Sequence, residues 1–240
     1  MLKVVHSALL SLIYPQSCRI CNSSVEDPDD GVACRECWSK TRIFSGNEIL
    51  CKKCGAFLQE AKTPVEAFCR QCDDHFYDSA SAVGTYENAL AASVIHLKRT
   101  PHIAKHIRKL FAAAYETSPL LNVTLIVPVP LSKKRLLERG FNQTEVLAAI
   151  IAKESGIAVD ANSLARTVHT PMHRVAMDKK ARDLTVKNAF EILRPRLIQG
   201  QNILLVDDVF TSGATVSYCA KALKKSGASK VYVLTLARAS

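Results

Sequence analysis

The stretch Ile203-Leu204-Leu205-Val206-Asp207-Asp208-Val209-Phe210-Thr211-Ser212-Gly213-Ala214-Thr215-Val216 decides how the larger, C-terminal part of the chain folds. Its apolar start predicts a strand over Asn202–Val206, buried on both faces as in the interior of a parallel sheet. That strand runs into two acids. A short loop, Thr211–Thr215, follows and opens directly into a helix predicted over Ala214–Ser226, stopped by Gly227. The backbone N–H groups of such a loop and the positive end of the helix favour a phosphate. Gly213 allows close backbone approach, and Thr211, Ser212 and Thr215 add hydroxyl donors beside Ala214. Asp207 and Asp208 stand at the C-terminal end of the strand, the usual ligand position of an open α/β sheet. There they would accept hydrogen bonds from two vicinal hydroxyls, so a ribose 5-phosphate fits the layout. A strand ending in acids before a Thr/Ser cap also occurs without any ligand; the complete string, not the acid pair, carries the reading. A Walker A loop is absent.

Outward from this stretch, strand and helix patterns alternate. Strands are predicted over Ser81–Tyr86, Val123–Val129, Asn162–Val168, Ala189–Leu193 and Lys230–Leu236. Helices are predicted over Asn88–Lys98, His102–Tyr115 and Asn142–Ser155, the last stopped by Gly156. Thr170–Lys187 has few apolar residues and reads as an exposed loop. The alternation predicts an α/β fold with a parallel sheet and right-handed crossovers. Cys219, on the helix after the loop, reads as a buried core thiol.

The texture differs before about residue 78. Eight of the nine cysteines form four CxxC pairs: Cys18/Cys21, Cys34/Cys37, Cys51/Cys54 and Cys69/Cys72. Two thiolates at this spacing can point at one tetrahedral ion. Two four-cysteine zinc sites follow, structural rather than catalytic because no coordination position stays open for water. Disulfides and redox CxxC pairs are the competing readings. The N-terminus lacks an A-x-A cleavage site before the first knuckle, which makes it a poor signal peptide and favours a reduced, cytoplasmic chain. Spacing leaves the pairing open between sequential and interleaved quartets. His75, three residues after Cys72, is a candidate substitute ligand but reads as a bystander. Leu2, Val5, Leu9, Leu12 and Ile13 recur at helical spacing and predict a short amphipathic helix packed on the ribbon. The organisation read from the sequence is therefore an N-terminal helix and double zinc ribbon over 1–78, then an α/β domain over 79–240.

The 240 residues carry 32 Lys+Arg against 22 Asp+Glu, a net charge of +10. Two zinc ions on eight thiolates would lower that to about +6, so the basicity points only weakly to an anionic partner. No apolar run approaches the ~20 residues of a membrane span. Aromatic residues are only 6%, few for base stacking.

The string Asp207–Thr215 resembles the signature of type I phosphoribosyltransferases, which bind phosphoribosyl pyrophosphate (PRPP) with Mg²⁺. Val127-Pro128-Val129-Pro130, then Arg139-Gly140-Phe141-Asn142-Gln143, behind a cysteine-rich N-terminus, resembles the ComF/GntX family of competence protein F and its relatives. The resemblance spans nearly the whole chain. It implies a double zinc ribbon with two structural Zn²⁺ and a type I phosphoribosyltransferase-like domain. Asp207 and Asp208 would hold the ribose hydroxyls, Thr211–Thr215 the 5′-phosphate, and Lys133, Arg135 or Arg139 the pyrophosphate beside the loop after Val129. Lys98 matches a family lysine. In the segment Thr170–Phe190, Arg182, Ala189 and Phe190 agree with the family, whereas Arg174 and Thr185 depart from it. Two functions stay open on these grounds. One is a phosphoribosyltransferase with an unassigned acceptor, tied to natural transformation and DNA use. The other is a non-catalytic factor that binds single-stranded DNA or proteins of the competence machinery, its PRPP site a sensor or a relic. No general base is assigned.

Overall fold

Why the central strand sits where it does follows from its composition: Ile203, Leu204, Leu205 and Val206 are all fully buried, which requires cover on both faces. The computed structural model describes residues 16–58, 67–118, 120, 122–168 and 189–239. Among them a four-stranded parallel sheet runs in the order β1-β6-β5-β2. Its strands are β1 (Ser79–Thr85), β2 (Leu125–Pro128), β5 (Asn202–Phe210) and β6 (Lys230–Arg238). A two-stranded antiparallel ribbon pairs β3 (Leu164–Arg166) with β4 (Phe190–Ile192). The helices are α1 (Arg35–Ser39), α2 (Asn88–Leu97), α3 (Lys105–Thr117), α4 (Lys133–Arg139), α5 (Gln143–Ser155), α6 (Pro195–Ile198) and α7 (Ala214–Lys225).

One expectation changes and two helices are added. The central strand does not stop at Val206; β5 continues through both acids to Phe210, because Asp207 and Val209 stay in register with Thr235 and Ala237 of β6. The basic stretch after Ser132, to which the sequence reading gave no element, forms α4, capped by the Ser132 side chain and ended by Gly140 at φ 79°. The short α6, begun by Pro195, has no counterpart in the sequence reading. The expected N-terminal helix and the whole 170–187 loop, with Arg174, Arg182 and Thr185, lie outside the described residues.

Side chains alternate between the two faces of the sheet. Leu204, Val206 and Leu234 join one core with α2, α3 and α5; Ile203, Leu205 and Val233 join a second with α7. The cysteine-rich segment divides between the same two cores. Cys18, Cys34, Cys37 and Trp38 belong to the first, and Cys51, Cys54, Cys72 and Tyr77 to the second. Between the two lobes the chain crosses the outer edge of β1. The N–H of Phe44 donates to Val83 O (2.8 Å) and that of Thr85 to Arg42 O (3.0 Å), an antiparallel contact centred on Ile43 and Gly84. The N–H of Ala80 donates to Lys53 O (2.8 Å) further down. An edge strand with unpaired backbone groups is thus covered from within the chain.

The crossing depends on Gly84. A Cβ there would collide with the backbone carbonyl of Arg42 and fall 2.8 Å from Leu90 Cδ1. Gly84→Val is expected to destabilise the protein by about 1–3 kcal/mol, measured as a lowered urea midpoint; an unchanged midpoint would mean that the edge contact contributes nothing.

Candidate phosphoribosyl site and metal centres

Both four-cysteine clusters lie in the N-terminal segment. Cys18, Cys21, Cys34 and Cys37 gather in one group, and Cys51, Cys54, Cys69 and Cys72 in another, with all sulfurs of a group within 4.8 Å of each other. The pairing is therefore sequential, which settles the alternative that spacing left open. Sγ separations of 3.7 Å (Cys18–Cys37), 3.6 Å (Cys21–Cys34), 3.7 Å (Cys51–Cys72) and 3.4 Å (Cys54–Cys69) match the ~3.8 Å edge of a tetrahedron with Zn–S near 2.3 Å. The first knuckle of each quartet turns at a residue of positive φ, Asn22 at 61° and Gly55 at 68°. There the amide donates back to Cys18 O (3.0 Å) or Cys51 O (2.7 Å). Both quartets fit a closed, structural zinc site. His75 belongs to neither.

The acid pair is shaped by strand alternation. Asp208 continues the face of Leu204 and Val206. It meets Lys98, the residue that caps α2, with Nζ 3.3 Å from Oδ2. Gln143 Nε2, in the first turn of α5, donates to the same oxygen at 3.1 Å. Arg139 Nη1 donates to Gln143 Oε1. Arg139, Gln143, Asp208 and Lys98 thus form one polar network. Burial holds the Arg139 pKa below its ordinary value, while Asp208 acts in the opposite sense. Asp207 is directed otherwise: its Oδ1 accepts the N–H of Asp208 at 2.8 Å, and the positive charge of Arg166 acts on it from β3. Burial, then the neighbouring Asp208, pushes the Asp207 pKa up to about 8, against the milder opposing pull of Lys98 and Arg166. The buried pair therefore favours holding a proton above the ordinary carboxylate range. Cys219 is fully buried, as expected, and burial together with Asp207 raises its pKa as well.

The block Arg139–Gln143 gains a physical account that its sequence alone did not supply. Gly140 lets α4 end in the left-handed region, and Asn142 caps α5 by accepting the N–H of Thr144. Asn142 Nδ2 and Thr144 Oγ1 both donate to Val129 O, at 3.2 and 2.7 Å. The loop after β2 is thereby tied to the helix that delivers Gln143 to Asp208. Asn142, Gln143 and Thr144 are all buried, and the sequence reading gave none of them an individual role. Buried polar residues just past a helix-stopping glycine were the available signal. Lys133 and Lys134 lie exposed on the first turn of α4.

The loop Thr211–Ala214 leads into α7 through Gly213, at φ 77°. A glycine N-cap offers no side-chain acceptor, and α7 has no side-chain cap bond. The N–H of Ala214 donates to Ser212 Oγ at 3.4 Å, and those of Thr215 and Val216 are left for a ligand to satisfy. Thr211, Ser212 and Thr215 are partly or fully exposed around them. The structure thus gathers Lys98, Arg139, Asp207, Asp208 and Thr211–Thr215 at the C-terminal end of the sheet.

The profile of the phosphoribosyl transferase domain matches residues 93–240, and that of the double zinc ribbon domain matches residues 9–74. The chain belongs to the phosphoribosyl transferase domain family. Within it, the ribbon marks the ComF/GntX arrangement. This chain is 30% identical over 236 residues to DNA utilization protein YhgH of Salmonella typhimurium, covering 95% of this chain and 99% of that one. It is 27% identical over 226 residues to competence protein ComFC of Bacillus subtilis, covering 88% and 85%. Among solved structures, the glutamine PRPP amidotransferase of B. subtilis overlaps 70% of this chain and 31% of its own at 17% identity, with a TM-score of 0.37. That overlap is too loose to bear on function. Among the described residues of this family member, no helix is long and apolar enough to cross a membrane.

Two measurements test the site's physics. Trp38, the chain's one tryptophan, is buried beside the first quartet, with Nε1 donating to Asp30 O at 3.0 Å. Chelation is expected to release about two zinc ions per chain and to shift Trp38 emission to the red as the ribbon loses its fold; chelation with unaltered emission would contradict a folding role. The second concerns Asp207. An acid whose pKa rises on folding, here from 3.8 to about 8, costs stability progressively as pH climbs through that window. Asp207→Asn keeps an acceptor for the Asp208 N–H. Its stability gain over wild type should therefore grow from pH 5 to pH 8, reaching on the order of 1 kcal/mol or more, read as Tm. A pH-independent difference would contradict the buried, proton-holding acid.

Proposed function

We propose that this protein binds PRPP with Mg²⁺ and acts as a phosphoribosyl-ligand protein in the handling of DNA. The observation that carries the reading is the uncapped N-terminus of α7 at Gly213, one loop away from two buried carboxylates. An N-terminus without a side-chain cap suits a 5′-phosphate. In this reading Thr211, Ser212 and Thr215 supply further donors to that phosphate, and Asp207 and Asp208 accept the ribose hydroxyls. Asp208 would exchange its contacts with Lys98 and Gln143 for the ligand. Lys98 and Arg139 then carry the positive charge needed where pyrophosphate would lie. Mg²⁺ bound with the ligand would screen the pyrophosphate charge. Departure of pyrophosphate would leave positive character on the ribose C1, which the nearby carboxylates favour. A reducing, cytoplasmic setting suits eight cysteine thiolates. The link to DNA rests on relatives named for DNA utilization and competence.

A second reading, direct contact with single-stranded nucleic acid, draws on the surface of the second ribbon. Phe68 and Phe76 are 61% and 38% exposed, and Lys221 Nζ lies 4.5 Å from the Phe76 ring centre. Exposed rings among cations suit base stacking.

Calorimetric titration with PRPP·Mg²⁺ separates the two. Wild type is expected to bind, and Asp208→Asn to bind at least about tenfold more weakly. Absence of binding at millimolar ligand, together with salt-dependent retention of an oligonucleotide, would replace the first reading with the second.

A further inference from the structure

We propose that the second zinc ribbon is a working part of the phosphate site, with His75 as a positioning residue for the loop at Gly213. This rests on the phosphoribosyl reading above and adds to it a residue and a cause.

Two arms leave the second quartet and converge on Gly213. The first starts at Cys72. The N–H of His75 donates to Cys72 O at 3.1 Å, so the metal knuckle fixes where His75 begins. The His75 ring is held by its neighbour: Nδ1 lies 2.5 Å from the Tyr77 hydroxyl. Tyr77 is itself buried, and burial raises its pKa, so the phenol stays protonated. The N–H of Phe76, between them, donates to Ser217 Oγ in the first turn of α7 at 3.2 Å. The second arm starts at Cys54. Its carbonyl accepts from Arg238 Nη1, and the guanidinium carbon of Arg238 lies 4.5 Å from the centre of the Phe210 ring. Phe210 in turn meets Tyr77 edge to face, with ring centres 6.0 Å apart.

The arms meet around one residue. A Cβ on Gly213 would fall 2.6 Å from Phe210 Cζ and 2.7 Å from His75 Cε1. Gly213 is therefore wedged between two rings, each referred back to a ligand of the same metal site. Its positive φ sets the direction of the first N–H groups of α7, the groups that would hold a phosphate. A loop of small residues has little packing of its own, and here the ribbon supplies it. The first quartet shares its core with α2 and α3 on the opposite face of the sheet.

The position of His75 is thus explained without ligation. It follows Cys72 by three residues because that reach carries its ring from the knuckle to the phosphate loop.

The test uses the full, zinc-loaded chain and the variants His75→Ala and Tyr77→Phe, with ribose 5-phosphate and inorganic pyrophosphate as separate probes. His75→Ala is expected to keep its zinc and to exchange the amides of 212–216 faster. It should bind ribose 5-phosphate about tenfold more weakly, while pyrophosphate affinity moves by less than about twofold. Tyr77→Phe should change the same quantities in the same order by less. A merely structural lesion would weaken both probes alike, and that result overturns the proposal. So does a His75→Ala protein whose loop exchange and ribose 5-phosphate affinity equal those of wild type. If wild type binds neither probe, the phosphoribosyl reading fails. Loop exchange in the two variants then decides alone whether the ribbon positions Gly213.

Discussion

Two adjacent carboxylates occupy the middle of a buried parallel strand, and the rest of the site answers that constraint. Neighbouring residues of a strand point to opposite faces, and Asp207 and Asp208 take different hydrogen-bond partners within the protein. Asp208 is matched by Lys98 and Gln143 on the side of α2 and α5. Asp207 turns back onto the peptide of Asp208, and burial beside that second acid raises its pKa. Removing charge from water this deeply is costly unless partners or protons offset it. Both solutions are present, one on each face. The strand continues in register beyond the acids, and that continuation fixes where the phosphate loop begins.

The cysteine-rich segment is built into the same sheet rather than appended to it. Its polar composition gives it little core of its own, and two closed metal sites supply the missing folding energy. Once folded, its two lobes lie against opposite faces of the sheet and the chain between them pairs with the edge of β1. The edge is thereby withheld from other strands. Because the second lobe reaches the base of the phosphate loop, metal, edge pairing and loop geometry form one mechanical unit. The hydrogen bond between His75 and Tyr77 and the stacking of Arg238 on Phe210 carry that continuity through a core with little polar content.

Much of this was legible in the residues themselves. Four CxxC pairs implied two tetrahedral sites, since two-residue spacing is a local property of a knuckle. Ile203–Val206 implied a two-faced buried strand, and Thr211–Thr215 before Val216 implied a phosphate loop, because a loop's backbone donors and a helix terminus are local too. Gly156 implied the end of α5, where it stands at positive φ. What the sequence could not determine were relations between distant segments. Sequential and interleaved quartets share one spacing, and only the folded chain brings Cys18 to Cys37 and Cys51 to Cys72. Arg139 and Lys98 are 41 residues apart, yet one carboxylate lies within reach of both influences, because α2 and α5 flank the same face of β5. His75 was a spare ligand by spacing and a neighbour of Gly213 by tertiary packing. The physical reason is the same in each case: spacing and residue type set local geometry, while which faces meet is decided by burying both sides of the sheet at once.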